Sequence, residues 1–196
     1  MPSPTVHNLA AQVQDFSSNA FLLPGERTVL VDTGANFDAV AAVREHVDSL
    51  DAVVLTHTHP DHVGNVGQVT SAFDVETWGF DPDRSPVANP IADGETIELG
   101  DHEYQALHTP GHIGDHLCFY APDLGVLFAG DLVFQNGGFG RTDLEEGNRA
   151  QLVESIQRVA ETVSADLSVM HCGHGPSVTQ DPYAHIEKAL RMAQVM

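Results

Sequence analysis

Basic residues are scarce in this 196-residue chain. It has 8 Lys and Arg residues against 28 Asp and Glu residues, which gives a formal net charge of −20, and Lys188 is its one lysine. Binding to a phosphate backbone needs a basic patch, so nucleic acid is not an expected partner. The acidic residues are spread along the chain and do not form one block. This distribution favours adaptation to high intracellular salt over a cationic partner.

Cysteine and long apolar runs are also scarce. Two cysteines, Cys118 and Cys172, do not make a disulfide framework, which is typical of a reducing cytoplasm. No stretch approaches 18 apolar residues, and the N-terminus has neither the basic segment nor the apolar core of a signal peptide. We therefore predict a cytoplasmic protein that has no membrane partner. Its length fits a single domain over residues 1–196, and no repeat or linker divides it.

One short stretch holds four side chains that can bind a metal ion: Thr56-His57-Thr58-His59-Pro60-Asp61-His62. It directly follows the apolar run of residues 51–55, which predicts a short buried strand. A strand fixes the backbone, and the loop beyond it can turn several side chains toward one point. A zinc site uses three or four protein ligands, and further candidates lie downstream, so this spacing suits two neighbouring ions.

The rest of the chain alternates between strand-like and helix-like periods. Strands are predicted at residues 19–23, 28–31, 75–78, 95–99, 104–108, 117–120, 126–129 and 167–170. Helices are predicted at residues 64–72, 148–163 and 181–192. Asn36 is the predicted cap of one more helix, which carries Val40, Val43 and Val47 on one face. These periods indicate an α/β protein with a helix-flanked sheet.

Five motifs in order give the chain a family resemblance. They are Asp32-Thr33-Gly34, the stretch from Thr56 to His62, Thr109-Pro110-Gly111-His112, Ala129-Gly130-Asp131 and Gly173-His174-Gly175. Together they resemble the metallo-β-lactamase superfamily, a large group of mostly hydrolytic metalloenzymes. The resemblance covers nearly the whole chain. It implies an αββα sandwich, in which two mixed sheets face each other, helices lie outside and metal ions bind at one edge.

The same resemblance implies a role for each candidate ligand. It assigns His57, His59 and His112 to one ion, Asp61, His62 and His174 to the other, and Asp131 to a bridge between them. Two divalent ions are implied, with zinc expected and iron or manganese as alternatives. Water between two such ions becomes hydroxide near neutral pH, so no serine or cysteine nucleophile is required. Asp61 and Asp131 are the carboxylates expected to act in catalysis.

Three more residues lie close to these motifs. Asp32 is expected to support the ligands from below through hydrogen bonds, and the alternative is a turn-forming Asp before Gly. His116 is expected either to support the site through a hydrogen bond or only to pack beside it. Cys172 precedes Gly173-His174 and is expected to be an oxidation-sensitive bystander, with metal ligation as the alternative.

The segment Gly137-Gly138-Phe139-Gly140-Arg141-Thr142-Asp143 bears on the subgroup. It resembles the Gly-x-Gly-Arg stretch of glyoxalase II-like hydrolases, and its last four residues resemble persulfide dioxygenases more closely still. An arginine beside a metal centre can bind a carboxylate through two hydrogen bonds. Arg141 is therefore the predicted substrate-binding residue, against the alternative of a solvated turn. About 22 residues follow His174, fewer than the glutathione-binding region of glyoxalase II, which leaves another thiol carrier or a smaller ester open.

The expected function is that of a dinuclear metal-dependent hydrolase, similar to hydroxyacylglutathione hydrolases. Its expected substrate is a small anionic thioester, attacked by a metal-bound hydroxide. The alternative is an iron-dependent persulfide dioxygenase, which would use two histidines and one carboxylate, here His57, His112 and Asp131. A nuclease is less favoured, because the chain is acidic and has no room for the accessory domain that grips nucleic acid.

Overall fold

The computed structural model describes residues 4–195 and shows two β-sheets packed face to face. Six strands form the first sheet in sequence order: β1 (His7–Asn8), β2 (Phe21–Leu23), β3 (Val29–Val31), β4 (Ala52–Val54), β5 (Thr77–Gly79) and β6 (Asn89–Pro90). Strands β1 to β3 pair antiparallel and strands β3 to β6 pair parallel, so this sheet is mixed.

Five strands form the second sheet: β7 (Thr96–Leu99), β8 (His102–His108), β9 (Leu117–Ala121), β10 (Val126–Gly130) and β13 (Val169–Cys172). Their order is β13-β10-β9-β8-β7, and only the pair β10 and β13 is parallel. A separate hairpin pairs β11 (Val133–Phe134) with β12 (Gly138–Phe139) across a 3-10 turn at Gln135–Gly137. This second sheet is also mixed.

A hydrophobic cluster fills the space between the two sheets. It joins Phe21, Val31 and Val54 of the first sheet to Phe119 and Phe128 of the second. Strands β9 and β10 are buried at every position because both of their faces are covered. Truncating a buried aromatic side chain such as that of Phe128 to alanine typically costs about 3–5 kcal/mol of stability.

Helices cover the outer faces of both sheets. They are α1 (Ala39–Arg44), α2 (Pro60–Val63), α3 (Val66–Phe73), α4 (Arg149–Thr162) and α5 (Pro182–Val195). A second hydrophobic cluster packs Val43 and Val69 against Leu30 of the first sheet. A third packs Ile156 of α4 against Leu127 of the second sheet. The structure therefore confirms the predicted αββα sandwich of two facing mixed sheets.

The start of α1 differs from the prediction. Asn36 has a left-handed backbone, with φ of 61°, and does not cap the helix. The cap is Asp38, whose side chain accepts a hydrogen bond from the N–H of Ala41 at 2.9 Å. The helix also ends at Arg44, so the predicted apolar stripe through Val47 runs past its end.

Other helices and strands also differ from their predicted positions. The predicted helix at residues 64–72 is preceded by a separate helix, α2, which starts at Pro60 because proline suits the first helical position. The last strand lies at Val169–Cys172, two residues later than predicted, because it pairs in register with β10. The edge strand β6 lies at Asn89–Pro90, where no strand was predicted. No helix within residues 4–195 is long and apolar enough to cross a membrane.

Candidate metal centre

Four loops bring the predicted ligands to one edge of the sandwich. The stretch from His57 to His62 follows β4, and His112 lies in the loop between β8 and β9. Asp131 follows β10 and His174 follows β13. Strands β4, β10 and β13 thus deliver three of the motifs directly, since the loop after each strand emerges at the same edge.

The local fold of the first motif separates its ligands into two pairs. His59 is extended, with ψ of 144°, and stands at the start of α2 ahead of Pro60. Asp61 and His62 lie in the first turn of that helix, so they point differently from His57 and His59. The kink between strand end and helix start is what allows six residues to serve two neighbouring positions.

The first group of ligand atoms consists of His57, His59 and His112. One ligand atom from each lies within 4.8 Å of the others. The Nε2 atom of His57 is 3.1 Å from the Nδ1 atom of His59. His57 and His112 are buried, whereas His59 is half-buried and lines a cavity.

The second group consists of Asp61, His62 and His174, also with one ligand atom each inside 4.8 Å. Asp131 lies between the two groups. Its Oδ1 atom is 3.3 Å from Nε2 of His62, and its Oδ2 atom is 3.4 Å from Nε2 of His112 and 3.6 Å from Nε2 of His174. The structure thus brings all seven predicted ligands together, with Asp131 at their centre.

Unpartnered buried atoms show that this donor set fits divalent cations. Within residues 4–195, the buried side-chain atoms without a hydrogen-bond partner include Nε2 of His62, Nε2 of His112 and Oδ1 of Asp131. A buried polar atom left unpaired costs about 1–3 kcal/mol, so three at one point need a partner. Imidazole nitrogens and carboxylate oxygens are ligands that zinc and iron accept.

In His62 and His112, a hydrogen bond on the far side of the ring leaves the other ring nitrogen facing the centre of the site. Nδ1 of His62 is 2.8 Å from Oδ2 of Asp32, and Nδ1 of His112 is 2.7 Å from the main-chain oxygen of Arg141. Both partners accept only, so each Nδ1 donates its hydrogen. Nε2, the atom that faces Asp131 in both residues, is then left to hold either a proton or a cation.

Asp32 directly follows β3 and lies beneath the first motif. Its two carboxylate oxygens accept hydrogen bonds from the N–H of Thr56 at 2.8 Å and from the hydroxyl of Thr56 at 2.7 Å. Together with the bond from His62, these contacts fix the start of the metal loop. Asp32 is buried and has a φ of 56°, a left-handed conformation that this network of bonds stabilises.

His116 lies behind Asp131 and is fully buried. Its Nε2 atom accepts a hydrogen bond from the N–H of Asp131 at 3.0 Å, and its Nδ1 atom is 2.7 Å from the hydroxyl of Thr109. Burial, reinforced by the neighbouring His112, lowers the pKa of His116 to about 3, so this ring is neutral. It therefore holds the backbone of the central carboxylate in place.

Burial and close charges set the protonation of the ligands. Burial lowers the pKa of His57 well below its ordinary value, and the other imidazoles lower it further. Burial also acts to lower the pKa of His62, but the carboxylates of Asp131 and Asp32 outweigh it and raise the pKa to about 10. Burial acts to raise the pKa of Asp131, but His62 and the other histidines outweigh it and lower that pKa. Asp131 is thus ionised.

Two glycines are required by close packing around Asp131. A Cβ atom on Gly140 would overlap the main-chain oxygen of Asp131 and press on the ring of His112. A Cβ atom on Gly173 would overlap the carboxylate of Asp131 itself. The glycine-rich segment therefore lies directly against the ligands, and this close packing places Arg141, the residue after Gly140, at the edge of the site.

A cavity of about 800 Å³ opens over the two ligand groups. Arg141 lines it, and its side chain is 64% exposed and binds Asp143 through hydrogen bonds from Nε at 2.8 Å and Nη2 at 2.7 Å. Arg84 lines the opposite part and pairs with Glu146, with 2.8 Å from Nη1 to Oε1. The structure thus places Arg141 at the cavity over the ligand groups, with its guanidinium bound to a neighbouring carboxylate.

Several cavity residues had no assignment from the sequence. Arg84 lies outside every predicted strand and helix, and no local pattern indicates that it reaches the cavity. Phe16 also lines the cavity. In the sequence, the one feature that could have drawn attention to it is that it is an isolated phenylalanine in a polar stretch. Cys172, by contrast, points into the hydrophobic cluster under α4 and α5. Burial raises the pKa of its thiol to about 12, so it is no ready ligand.

Comparison with known sequences places these features in a family context. The profile of the Metallo-beta-lactamase superfamily matches residues 13–180. Hydroxyacylglutathione hydrolase of Xanthomonas euvesicatoria pv. vesicatoria is 34% identical over 171 residues, which cover 86% of this chain and 64% of the relative. Hydroxyacylglutathione hydrolase GloC of Haemophilus influenzae is 30% identical over 192 residues, covering 85% of this chain and 90% of the relative. The chain spans 52–64% of the length of five of the hydroxyacylglutathione hydrolases that it matches, the Xanthomonas euvesicatoria protein among them.

Solved structures show the same architecture. TTHA1623, crystallised in a di-iron-bound form, superposes with a TM-score of 0.73 at 29% identity, covering 91% of this chain and 94% of that one. ETHE1 from Myxococcus xanthus superposes with a TM-score of 0.76, covering 97% of this chain and 86% of that one. Its identity is 22%, so this second likeness concerns the fold alone.

Proposed function

The chain belongs to the metallo-beta-lactamase superfamily of metal-dependent hydrolases, and we propose that its substrate is a thioester of a small carboxylic acid and a low-molecular-weight thiol. The observation that carries this proposal is the position of Asp131 between two groups of three ligands. Relatives named hydroxyacylglutathione hydrolases support a thioester as the substrate class. Because the chain is shorter than several of them, the thiol carrier of this protein is part of the proposal.

Two divalent cations fit the donor set, held by His57, His59 and His112 on one side, by Asp61, His62 and His174 on the other, and by Asp131 between them. When bound, such ions acidify a water molecule and polarise the carbonyl oxygen of the substrate. Zinc is the proposed ion, since hydrolysis needs no change of oxidation state. Iron is the alternative, because the TTHA1623 neighbour was crystallised with two iron ions.

Each carboxylate of the site has a proposed task. Asp131 is nearly enclosed and ionised, so it compensates the positive charge of the centre and fixes its spacing. Asp61 is half-buried, lines the cavity and has an Oδ2 atom 3.0 Å from Nε2 of His174. It is therefore positioned to accept a proton from the attacking water at the cavity wall. Asp32 orients His62 through its hydrogen bond to Nδ1, and His116 holds the main chain of Asp131.

Arg141 is the proposed partner of a carboxylate on the substrate. Its guanidinium lines the cavity and is largely exposed, so a substrate anion can reach it. Its bonds to Asp143 mean that an incoming anion competes with that side chain or binds the remaining donors beside it. This arrangement holds the guanidinium plane in one orientation before the substrate arrives, which favours bidentate binding.

A second candidate function is that of an iron-dependent persulfide dioxygenase. The segment Gly140-Arg141-Thr142-Asp143 favours it by its resemblance to that group. The two-histidine, one-carboxylate face that such chemistry uses would be His57, His112 and Asp131. Against it stands the second group of ligands, which a single iron would leave unused. A nuclease function has no supporting observation in this structure.

The remaining proposals concern the protein as a whole. We propose that residues 1–196 form one domain and that the protein works in the cytoplasm, where its cysteines stay reduced. Both Cys118 and Cys172 are free and buried, which agrees with that compartment. The net charge of −20 is proposed to be an adaptation to high salt.

Release of free thiol tests the proposed reaction. Protein purified without chelator and loaded with zinc is mixed with S-lactoylglutathione or with S-lactoyl-N-acetylcysteine, and thiol is followed with a colorimetric reagent. We expect thiol release from at least one substrate, and its loss after chelator treatment. A zinc-loaded protein with two ions per chain that cleaves neither compound would refute the thioester proposal.

A further inference from the structure

The mouth of the cavity carries exposed apolar side chains. Within residues 4–195, three large apolar side chains are exposed: Phe16 at 74%, Leu144 at 37% and Val195 at 84%. Two of the three, Phe16 and Leu144, line the cavity over the ligand groups. An exposed phenyl ring loses the stabilisation that burial gives, so its position at a substrate cavity calls for a ligand that covers it.

Hydrogen bonds fix the backbone that carries Phe16. The main-chain oxygen of Phe16 accepts a hydrogen bond from Nδ2 of Asn36 at 2.7 Å. Two residues later, the N–H of Ser18 donates to the oxygen of Asp61 at 3.2 Å, and that of Asn19 donates to the oxygen of Gly173 at 2.7 Å. The segment is thus attached to both loops that carry the second group of ligands.

This attachment positions the phenyl ring of Phe16 over His174. The two rings are stacked, with 5.8 Å between their centroids and an interplanar angle of 19°. On another side of the same imidazole, the ring of Phe134 packs edge-on at 6.2 Å. His174 is therefore bordered by two aromatic rings, both of which face the cavity.

The hairpin of β11 and β12 completes the apolar surface. It carries Phe134 and Phe139, and both line the cavity. The guanidinium of Arg149 lies over the ring of Phe139, with Cζ 4.2 Å from the ring centroid. Arg84, which also lines the cavity, is engaged by Glu146 and by Asp81 at 3.3 Å. Phe16, Phe134, Phe139 and Leu144 together are called the aromatic rim below.

We propose that the aromatic rim binds an apolar alkyl or aryl substituent of the thioester, and that Phe16 is the residue that determines this specificity. The inference rests on the proposed thioester hydrolysis and narrows its substrate class. The substituent lies on the rim while the carboxylate of the same molecule meets Arg141. It can belong to the acyl group or to the thiol, and the chemistry of the contact is the same in both cases.

The test compares matched substrates that share a carboxylate. The acyl arm uses S-acetyl-N-acetylcysteine and S-phenylacetyl-N-acetylcysteine. The thiol arm compares the acetyl thioesters of 2-mercaptopropionic acid and of 2-mercapto-3-phenylpropionic acid, which differ by one phenyl group. Wild-type protein, Phe16→Ala, Phe16→Leu and Val195→Ala are assayed with each. Val195 is equally exposed yet lies outside the cavity, so it controls for the loss of an exposed apolar side chain.

We expect kcat/KM of the wild type to favour the phenyl-bearing substrate in one arm by about tenfold, which is the effect of covering roughly two methylene equivalents of apolar surface. Phe16→Ala should lose that preference, Phe16→Leu should retain part of it, and Val195→Ala should keep all of it. Metal content should be unchanged in every variant. Calorimetry with phenylacetate or phenyl-bearing thiol should show weaker binding to Phe16→Ala, independently of turnover.

Three results would overturn the inference. Equal rates for the acetyl and phenyl substrates in both arms would show that the rim takes no apolar group. A preference that survives in Phe16→Ala would assign it to other residues. Loss of metal from Phe16→Ala without a change in preference would show that Phe16 only shields His174. A protein that hydrolyses no thioester at all would instead remove the proposed function and this inference with it.

Discussion

The ring of His112 donates its Nδ1–H to the main-chain oxygen of Arg141, with 2.7 Å between the two atoms. This bond links a predicted ligand to the glycine-rich segment that contains β12. It fixes the tautomer of His112, so that Nε2 faces Asp131 with its lone pair free. Arg141 therefore contacts the site in two ways: its main-chain oxygen orients His112, and its side chain lines the cavity.

That double role leads to a first prediction. Arg141→Ala keeps the main-chain oxygen, so its metal content should equal that of the wild type. Its KM for a carboxylate-bearing thioester should rise about 10- to 100-fold, the effect of losing charge-assisted hydrogen bonds. Arg141→Lys should recover only part of this loss, because an ammonium cannot make the bidentate contact. Unchanged kinetics in Arg141→Ala would show that Arg141 is a solvated turn residue that does not bind the substrate.

Asp131→Ala should be more damaging than the loss of any other single ligand. Both groups of ligands approach this carboxylate, so its removal leaves two cations with less compensating charge and no fixed spacing. We expect both ions to be bound poorly and turnover to fall more than in His59→Ala. Metal analysis and thiol release measure these effects. Two retained ions with near-normal turnover would show that Asp131 does not bridge.

Asp32→Asn tests the orientation of His62 from behind. In the wild type, Oδ2 of Asp32 accepts hydrogen bonds from the hydroxyl of Thr56 and from Nδ1 of His62. An amide NH₂ at that position would donate toward His62 and favour the tautomer with hydrogen on Nε2, the ligand atom. Affinity for the second ion should fall about 10- to 100-fold. Asp48→Asn, at an exposed position after α1, is the matched control and should bind both ions normally.

Sequence patterns predicted the ligands better than their surroundings. Each of the seven predicted ligands lies in a short motif next to a strand end, so local pattern and family resemblance were enough to propose it, and the structure brings all seven together. The contact between Phe16 and His174 joins positions 158 residues apart, and no periodicity connects them. The helix cap is Asp38 and not the predicted Asn36, because Asn36 has a left-handed backbone. Its side chain binds the main-chain oxygen of Phe16, a contact between segments that local sequence does not indicate.

Salt should stabilise the protein if the charge of −20 is an adaptation to salt. The Debye length is about 30 Å at 0.01 M and about 3 Å at 1 M, so molar salt screens the repulsion among surface carboxylates. We expect the Tm to rise steadily between these concentrations of sodium chloride. A Tm that is indifferent to salt would favour a cationic partner as the reason for the acidity.

The most direct test of the two-ion hydrolase compares zinc-loaded and iron-loaded protein in the same assays. Zinc cannot exchange electrons with dioxygen, whereas hydrolysis needs only a Lewis acid and an acidified water. We predict about two zinc ions per chain, thiol release from an acyl-thiol by the zinc form, and no oxygen uptake on an oxygen electrode with a thiol persulfide. Oxygen uptake that occurs only after iron loading, together with a zinc form that releases no thiol, would contradict this account and favour the persulfide dioxygenase.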